Sequence, residues 1–221
     1  MHEQVHVDAG RNVTEMAIRE FRDTVYAYYR EHGRRLPWRY IDSPYHILVS
    51  EFMLQQTQVD RVLTKYDPFI SQFPDIGAVA HASLRDILAE WQGLGYNRRA
   101  ANLHKAAQKV VHDFNGTIPD CAETLRALPG VGPSTAGAVV AFAFNKPAVF
   151  IETNIRRVFI HFFFPGADKV SDKQILPLVE RALDRTDPRC WYYALMDYGV
   201  MLASRESNPN RRRSEEHTSE L

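Results

Sequence analysis

The segment Leu128–Gly137 has the composition of an anion site. It reads Leu-Pro-Gly-Val-Gly-Pro-Ser-Thr-Ala-Gly and joins two short predicted helices through a turn that contains Gly130 and Gly132. Glycine permits positive φ and a close approach of the backbone to another surface, and the start of the next helix offers N–H groups that lack partners. The segment therefore predicts a cradle for a phosphate such as that of DNA. The alternative is a helix–turn–helix connection that only packs.

A second segment, Ser50–Val59, could supply a general acid. On a helix, steps of three and four residues place Glu51 in a stripe that is otherwise largely apolar. The other members of this stripe are Leu48, Phe52, Gln55 and Val59. Partial burial of a carboxyl group favours its protonated form, which can then donate a proton near neutral pH. The alternative is a glutamate at the edge of the stripe that reaches solvent.

The third segment, Trp91–Arg99, combines an aromatic residue with basic residues. Tyr96 lies at a glycine turn ahead of a predicted helix that carries Arg98, Arg99 and Lys105. An aromatic side chain on such a turn can wedge between stacked bases while the cations hold phosphates. The alternative is a turn tyrosine that packs on the core beside a solvated basic face.

The fourth segment, Ile151–Val158, brings a carboxylate to the start of a helix. Glu152 lies about twenty residues beyond the glycine turn and precedes Asn154. A carboxylate in this place could stabilise a developing positive charge on a sugar. The alternative is an acid that only complements the dipole at the start of its helix.

Helices must position these segments, because helical periodicity dominates the chain. The predicted helices are 13–32, 44 towards 63 with Ser43 as N-cap, 65–72, 83–92, 98–114, 121–128, 134–144, 154–163, 172–183 and 188–202. Period-two strand signals with hairpin turns are missing, so we predict an all-α fold. We expect a middle lobe over about residues 43–145, a second lobe from the N-terminal helix with about 146–212, and a ligand-binding cleft between them.

Composition limits the classes of function. The 221 residues are 45% hydrophobic and 24% charged, which is typical of a globular protein. Lys plus Arg and Asp plus Glu both count 27, so bulk charge does not favour nucleic-acid binding. The two cysteines, Cys121 and Cys190, exclude a disulfide framework and a four-cysteine metal site within these residues. No stretch reaches the roughly 18 apolar residues of a membrane helix, so we expect an intracellular protein without a membrane partner.

Five short motifs follow one another in a characteristic order and spacing. They are Ser50-Glu51, Met53 to Val59, Gly93 to Tyr96, Asn102 to Ala107 and Leu128 to Gly132. Together they resemble the helix-hairpin-helix DNA glycosylases and, within that family, the MutY-type adenine glycosylases. The resemblance runs from about Leu36 to Gly199. It implies an all-α fold of two lobes and an enzyme of base-excision repair that acts on double-stranded DNA with a mismatched or damaged base pair.

The resemblance implies a role for each matching residue. Glu51 would protonate the adenine, and Glu152 would stabilise the oxocarbenium-like state in which the bond to the sugar breaks. Asn154 matches an active-site asparagine. Because a base in a duplex is out of reach, it must be extruded into a pocket. The implied DNA contacts are Gln55, Gln56, Tyr96, Arg98, Arg99, Lys105, Gly130 and Gly132.

Two positions bear on the mechanism. In relatives that also cut the strand, such as endonuclease III, a lysine two residues after the second glycine of the hairpin forms a Schiff base with the sugar. Ser134 occupies that position here, which implies a monofunctional glycosylase that leaves an abasic site. Glu152 stands where the family has an aspartate. Since a misplacement of roughly 1 Å can cost about a hundredfold in rate, we expect either reduced activity or a water between this carboxylate and the sugar.

The family usually holds an iron–sulfur cluster with four cysteines that follow the Asp-Tyr-Gly helix. Ala203 and Asn210 occupy the first two of those positions here. We therefore predict no cluster, no other metal and no other cofactor.

Residues 213–221 have an unusual origin. They read Arg-Ser-Glu-Glu-His-Thr-Ser-Glu-Leu, which back-translates to a common short-read sequencing adapter. We predict an artefact and leave these residues out of the fold. Without their one Arg and three Glu the formal net charge becomes +2. The natural C-terminus is then unknown, which leaves room for the separate domain with which MutY-type enzymes recognise 8-oxoguanine.

Three functions are compatible with these residues. We favour an adenine glycosylase that acts opposite guanine or 8-oxoguanine. A thymine or uracil mismatch glycosylase of the same superfamily is the second, and a DNA-binding module whose catalysis is impaired at Glu152 is the third. In each case we expect a monomer in the cytoplasm or nucleoid.

Overall fold

The computed structural model describes residues 13–205, and α-helices dominate them. They are α1 Glu15–His32, α2 Pro44–Leu54, α3 Val59–Gln72, α4 Ile76–His81, α5 Leu84–Trp91, α6 Arg98–Phe114, α7 Ala122–Leu125, α8 Pro133–Phe144, α9 Thr153–Phe163, α10 Asp172–Ala182 and α11 Pro188–Arg205, with a 3₁₀ helix at Pro37–Tyr40. The described residues contain no β-strand, so the predicted all-α fold is confirmed. None of these helices is long and apolar enough to cross a membrane.

The chain divides into two compact units. One runs from Arg35 to Ala148, and the other joins residues 13–34 with residues 149–205. We call them the central unit and the terminal unit. The predicted artefact at 213–221 and the second cluster position, Asn210, lie outside the described residues.

Two apolar helices form the core of the central unit. Helix α8 is buried continuously from Ala136 to Ala143, and α2 packs against it. A helix that is apolar on all sides must be covered on all sides, and the small residues of α8 let its neighbours approach closely. Helices α3 and α6 pack on α2, and α7 packs on α8. The acid-bearing helix α2 is therefore held rigidly.

Aromatic residues hold the terminal unit together. The ring of Phe21 in α1 lies 5.2 Å from that of Phe159 in α9 and 5.6 Å from that of Trp191 in α11, both edge to face. Such pairs add about 0.5–1.5 kcal/mol to the burial of the rings. The guanidinium of Arg22 also donates to the carbonyls of Ala182 and Leu183 at the end of α10. The ring contacts hold α9, and Glu152, the second predicted acid, is the N-cap of that helix.

The helix predicted to run from Pro44 towards Leu63 is wrong in its length. Helix α2 ends at Leu54, and α3 begins at Val59 after a turn. In a continuous helix the carbonyls of residues 52 and 53 would accept from N–H groups four residues later. Here the side chain of Arg99 donates to them instead. The sequence pattern also missed α4 and the 3₁₀ helix, whereas α6 lies at the predicted residues.

Candidate active site and nucleic-acid interface

Glu51 lies on the last turn and a half of α2. Ser43 caps the start of this helix with its side chain, and Pro44 is the first helical residue. Glu51 is half-buried, whereas its neighbour Phe52 is fully buried. The predicted stripe is only partly correct, because the turn after Leu54 removes Gln55 and Val59 from this helix. The structure thus places a carboxyl group on a rigid helix, close to where that helix ends.

The turn between α2 and α3 carries Gln56 in an uncommon conformation. Gln56 has a φ of 53° and an exposed side chain. Its neighbour Gln55, predicted to contact DNA, has its amide nitrogen bonded within the protein. The nitrogen donates to the carbonyl oxygen of Gly130 at 3.2 Å and to the hydroxyl of Thr135 at 3.3 Å. Gln55 therefore ties this turn to the glycine hairpin.

The turn between α5 and α6 presents Tyr96 to solvent. Gly93 and Gly95 have φ values of 97° and 75°, and Tyr96 follows with 48°. The side chain of Tyr96 is 64% exposed, which contradicts the alternative of a tyrosine packed on the core. The indole of Trp91 holds the turn by donating to the carbonyl of Gly95 at 3.2 Å.

Arg99 does not take the predicted place on the DNA surface. The residue is 7% exposed, and its guanidinium donates to backbone carbonyls and one hydroxyl. The acceptors are the carbonyls of Phe52, Met53, Gln55, Leu94 and Gly95 and the hydroxyl of Thr57. Both terminal nitrogens of this guanidinium are bonded within the protein and its Nε is buried, so no exposed donor is left for a phosphate and this prediction is wrong. Arg98 and Lys105 on the same helix are exposed, and their predicted phosphate contacts stay predictions.

The two glycines of the hairpin differ in their surroundings. Gly130 has a φ of 79°, and an added Cβ would lie 2.7 Å from Cβ of Asn102 and 2.9 Å from the ring of Phe52. Gly132 has ordinary extended backbone, and no atom would lie within 4 Å of its added Cβ. Packing alone therefore requires glycine at 130. At 132 glycine leaves an open surface.

The start of α8 supplies N–H groups at the same place. Gly132 is the N-cap residue, and no side chain caps this end. The first N–H groups of a helix have no partner within it and carry partial positive charge. Ser134, the second residue of the helix, is half-buried here. Such N–H groups can hold an anion, and the phosphate cradle stays a prediction.

Glu152 is the N-cap of α9 in the terminal unit. Its Oε1 accepts from the N–H of Ile155 at 2.8 Å, and its Oε2 accepts from Nδ2 of Asn154 at 3.2 Å. The carboxylate thus stabilises the start of its helix, as one interpretation of the sequence holds. Burial raises the pKa of Glu152, although the hydrogen bonds and the charge of Arg157 oppose that shift. The same group therefore serves the helix and remains a candidate for catalysis.

Arg157 and Gly199 support this acid, and the sequence analysis assigned a role to neither. Nη1 of Arg157 donates to Oδ1 of Asn154 at 2.7 Å and to the carbonyl of Gly199 at 3.0 Å. The bond to Oδ1 orients the amide so that its nitrogen faces Glu152. A Cβ at position 199 would lie 2.6 Å from Cβ of Asn154, so the helices can approach only with glycine there. The three-residue spacing of Asn154 and Arg157 was the available signal, but the adjacent Arg156 made the choice of arginine ambiguous.

A model of the family described as "HhH-GPD superfamily base excision DNA repair protein" matches residues 49–182. The chain belongs to this superfamily. The hairpin, Glu51 and both exposed turns lie in the central unit, and Glu152 and Asn154 lie in the terminal unit.

Curated members of the superfamily are similar to this chain. The protein named "Adenine DNA glycosylase" of Buchnera aphidicola subsp. Baizongia pistaciae (strain Bp) is 37% identical over 194 residues, which cover 86% of this chain and 54% of that protein. The human protein of the same name is 35% identical over 206 residues, covering 88% of this chain and 37% of the human one. The protein of that name from Mycobacterium tuberculosis (strain ATCC 25618 / H37Rv) is 47% identical over 133 residues, with 60% and 44% covered. The chain spans about half the length of the curated relatives it matches.

Solved structures of the superfamily share the fold. A thermostable thymine-DNA glycosylase superposes with a TM-score of 0.80 at 27% identity and covers 86% of this chain and 89% of its own. A trapped endonuclease III–DNA covalent intermediate superposes with a TM-score of 0.74 at 19% identity, covering 86% of this chain and 88% of its own. This similarity supports the fold alone.

The residues present do not fit the iron–sulfur cluster that the family usually holds. Ala203, at the first cysteine position, lies on α11 and offers only a methyl group. The described residues also contain no group of three or more His, Cys, Asp or Glu side chains that could hold a metal ion.

Proposed function

We propose that this protein is a monofunctional adenine DNA glycosylase. It would hydrolyse the N-glycosidic bond of an adenine mispaired with guanine or 8-oxoguanine and leave an abasic site. The observation that carries the proposal is Glu51, a carboxyl group held on a rigid helix that ends in a turn tied to two further loops. One of these loops exposes an aromatic side chain, and the other leads into a helix start that no side chain caps. The curated relatives named adenine DNA glycosylase support the choice of base.

Glu51 acts first in the proposed mechanism. It donates its proton to the extruded adenine, which makes the base a better leaving group. The bond between the base and C1′ breaks, and its electron pair leaves with the adenine. A positive charge then develops on the sugar ring. Water adds to C1′ and loses a proton, so that the products are free adenine and an abasic sugar.

Glu152 stabilises the cation in this mechanism. Its ionised carboxylate is held by Asn154 and the N–H of Ile155, so it needs little reorganisation when the sugar becomes positive. The same two hydrogen bonds hold the carboxylate of this side chain, which is one methylene longer than that of aspartate. The ionised form is required, and burial raises the pKa of this group. Activity should therefore fall as the pH decreases through that raised value.

The hairpin and the exposed residues of the central unit would bind the duplex. Backbone N–H groups at the start of α8 would hold one phosphate, and Arg98 and Lys105 would hold others. Tyr96 and Gln56, both exposed, would fill the space that the extruded base leaves. We expect a monomer, located with the DNA in the cytoplasm or nucleoid.

Ser134 supports base release without strand cleavage. A Schiff base with the sugar requires an amine, and the hydroxyl of Ser134 cannot form one. Wild-type protein should therefore leave the strand intact until alkali or heat cleaves the abasic site.

A second candidate is a glycosylase that removes thymine or uracil opposite guanine. The superposition with a thermostable thymine-DNA glycosylase at 27% identity favours it. A third, a DNA-binding module without turnover, is motivated by the Glu152 substitution.

Base release from a panel of duplexes separates the three candidates. The panel contains adenine opposite 8-oxoguanine, guanine and thymine, and thymine and uracil opposite guanine. The proposal predicts release of adenine opposite 8-oxoguanine and guanine only. Release of thymine or uracil alone would favour the second candidate. Binding without release, reversed by Glu152→Asp, would favour the third. Because residues 213–221 are predicted to be an artefact, the 3′ end of the gene should be sequenced again before the gene is cloned for expression.

A further inference from the structure

Two exposed turns of the central unit each contain a residue with unfavourable backbone geometry. The residues other than glycine with positive φ in the described part of the chain are Gln56, Tyr96, Asn115 and Asn145. The two asparagines end helices α6 and α8, and asparagine adopts this conformation readily. Glutamine and tyrosine do not, so contacts from elsewhere must hold Gln56 and Tyr96.

Arg99 supplies those contacts at the peptide group that precedes each residue. The carbonyl of Gln55 shares a peptide plane with the nitrogen of Gln56, and it accepts from Arg99 at 2.5 Å. The carbonyl of Gly95 shares a plane with the nitrogen of Tyr96, and it accepts from Arg99 at 3.1 Å. Because φ is the rotation between that plane and the rest of the residue, a fixed plane restricts φ. One side chain therefore restrains the backbone at both positions.

The position of Arg99 in its own helix is unfavourable for a cation, so the arginine must be stabilised by tertiary contacts. It lies in the first turn of α6, where the helix dipole disfavours a cation. No carboxylate forms an ion pair with it among residues 13–205. The compensation comes from the carbonyls at the end of α2, where the dipole of that helix is negative. Its guanidinium carbon also lies 5.5 Å from the ring centroids of Trp91 and Tyr96.

Lysine cannot make the same set of contacts. Nη1 of Arg99 serves the end of α2, and Nη2 serves Thr57 and the glycine turn. The two nitrogens are held apart in a rigid plane, whereas an ammonium is a single point of charge. The contacts therefore require a guanidinium and not merely a positive charge.

We propose that Arg99 is a positioning residue that fixes Gln56 and Tyr96 in the conformations with which they enter the base stack. The inference rests on the proposed function. By setting both backbones before DNA binds, Arg99 avoids the entropy cost of ordering the two turns during base extrusion. Arg99 links Gln56 and Tyr96, which we call the wedge, to the end of the helix that carries Glu51. It does not itself touch the DNA.

Substitution by lysine tests the inference, with Arg85→Lys as the matched control because Arg85 is exposed on α5. Single-turnover release of adenine should decrease roughly tenfold or more in Arg99→Lys, since a misplacement of about 1 Å can cost a hundredfold. Binding to an undamaged duplex should remain within about twofold of wild type, because phosphate contacts do not use Arg99. Arg85→Lys should match wild type in both measurements. Wild-type release by Arg99→Lys would overturn the inference.

A double-mutant cycle excludes a merely structural role. If Arg99 acts through the wedge, Arg99→Lys should reduce release little further in a background that already carries Gln56→Ala and Tyr96→Ala. An undiminished effect in that background would contradict the inference. If Arg99→Lys does not fold, Thr57→Val replaces it in the same cycle, because this change removes one acceptor of the guanidinium. Base release should then decrease less than in Arg99→Lys, and the decrease should again depend on Gln56 and Tyr96.

The failure of the proposed function remains distinguishable. If wild-type protein releases no base from any duplex, the proposed function fails. Fluorescence of 2-aminopurine at the target position then reports base extrusion directly. A loss of that signal in Arg99→Lys but not in Arg85→Lys would support the positioning role, and an equal signal in both variants would overturn it.

Discussion

Replacing the two hairpin glycines one at a time should separate folding from DNA binding. At Gly130, alanine must adopt a φ of 79° and place its Cβ 2.7 Å from Cβ of Asn102. The left-handed backbone costs about 1–2 kcal/mol and the overpacking about 1–3 kcal/mol. Gly130→Ala should thus lower the free energy of unfolding by about 2–5 kcal/mol, which corresponds to a melting temperature lower by roughly 4–20 °C.

Gly132→Ala should leave stability almost unchanged. The backbone at this N-cap is extended, and the added methyl group meets open space. Alanine reduces the entropy of the unfolded chain, worth about 0.4–1 kcal/mol, but it is a poorer N-cap residue by a similar amount. The two effects nearly cancel.

Gly132→Ala should nevertheless weaken binding to DNA. The methyl group would occupy the space through which a phosphate approaches the N–H groups of α8. Losing one charge-assisted hydrogen bond costs about 1.5–3 kcal/mol, which weakens affinity about tenfold to a hundredfold. Thermal unfolding and fluorescence anisotropy with a labelled duplex at constant salt measure both quantities. Unchanged affinity of Gly132→Ala, or unchanged stability of Gly130→Ala, would refute the reasoning about these glycines.

Four further predictions concern the terminal unit. Burial raises the pKa of Glu152, and the ionised form is needed, so adenine release should fall as the pH decreases through that pKa. Glu152→Gln should abolish this acidic limb of the pH–rate profile. If the acidic limb persists in Glu152→Gln, it belongs to another group. Because the pKa of Glu152 is raised in the folded state, its carboxyl group contributes more to the free energy of unfolding at low pH. That contribution is lost as the pH rises from the ordinary pKa of a glutamate towards the raised one. Urea unfolding of wild type and Glu152→Gln over this pH range measures the difference. Gly199→Ala should destabilise the protein by about 1–3 kcal/mol and reduce base release, because its Cβ would meet Asn154; normal release would contradict the role of Asn154. Purified protein should show no visible absorbance from an iron–sulfur cluster, since Ala203 replaces the first cysteine; a broad band in that region would overturn this prediction.

Local signals were sufficient for most helices. Helix α6 lies where its apolar periodicity places it, and Ser43 and Pro44 mark the start of α2 as expected. Such signals lie within a few residues of the boundary that they determine. The end of α2 depends instead on Arg99, which is 46 residues beyond Met53 in the chain. No local sequence pattern indicates that a side chain so distant in the chain will replace the helical N–H donors.

The same limitation applies to the site residues. Arg98 and Arg99 are adjacent and chemically equal, yet one is exposed and the other is buried beneath two turns. Gly130 and Gly132 are equal in the sequence motif, but only the first has close neighbours around its Cα. Residue type thus indicates which segments carry chemistry. Which member of a pair is exposed and which member packs depends on tertiary contacts.

The central claim is that Glu51 protonates the adenine that the protein releases. The most direct test is single-turnover release from a duplex with adenine opposite 8-oxoguanine, for wild type and Glu51→Gln, with affinity for the same duplex measured in parallel. Release by Glu51→Gln should be lost while binding persists, because the amide keeps the shape of the side chain but its N–H groups are too weakly acidic to protonate the adenine. Release at the wild-type rate by Glu51→Gln would contradict the account.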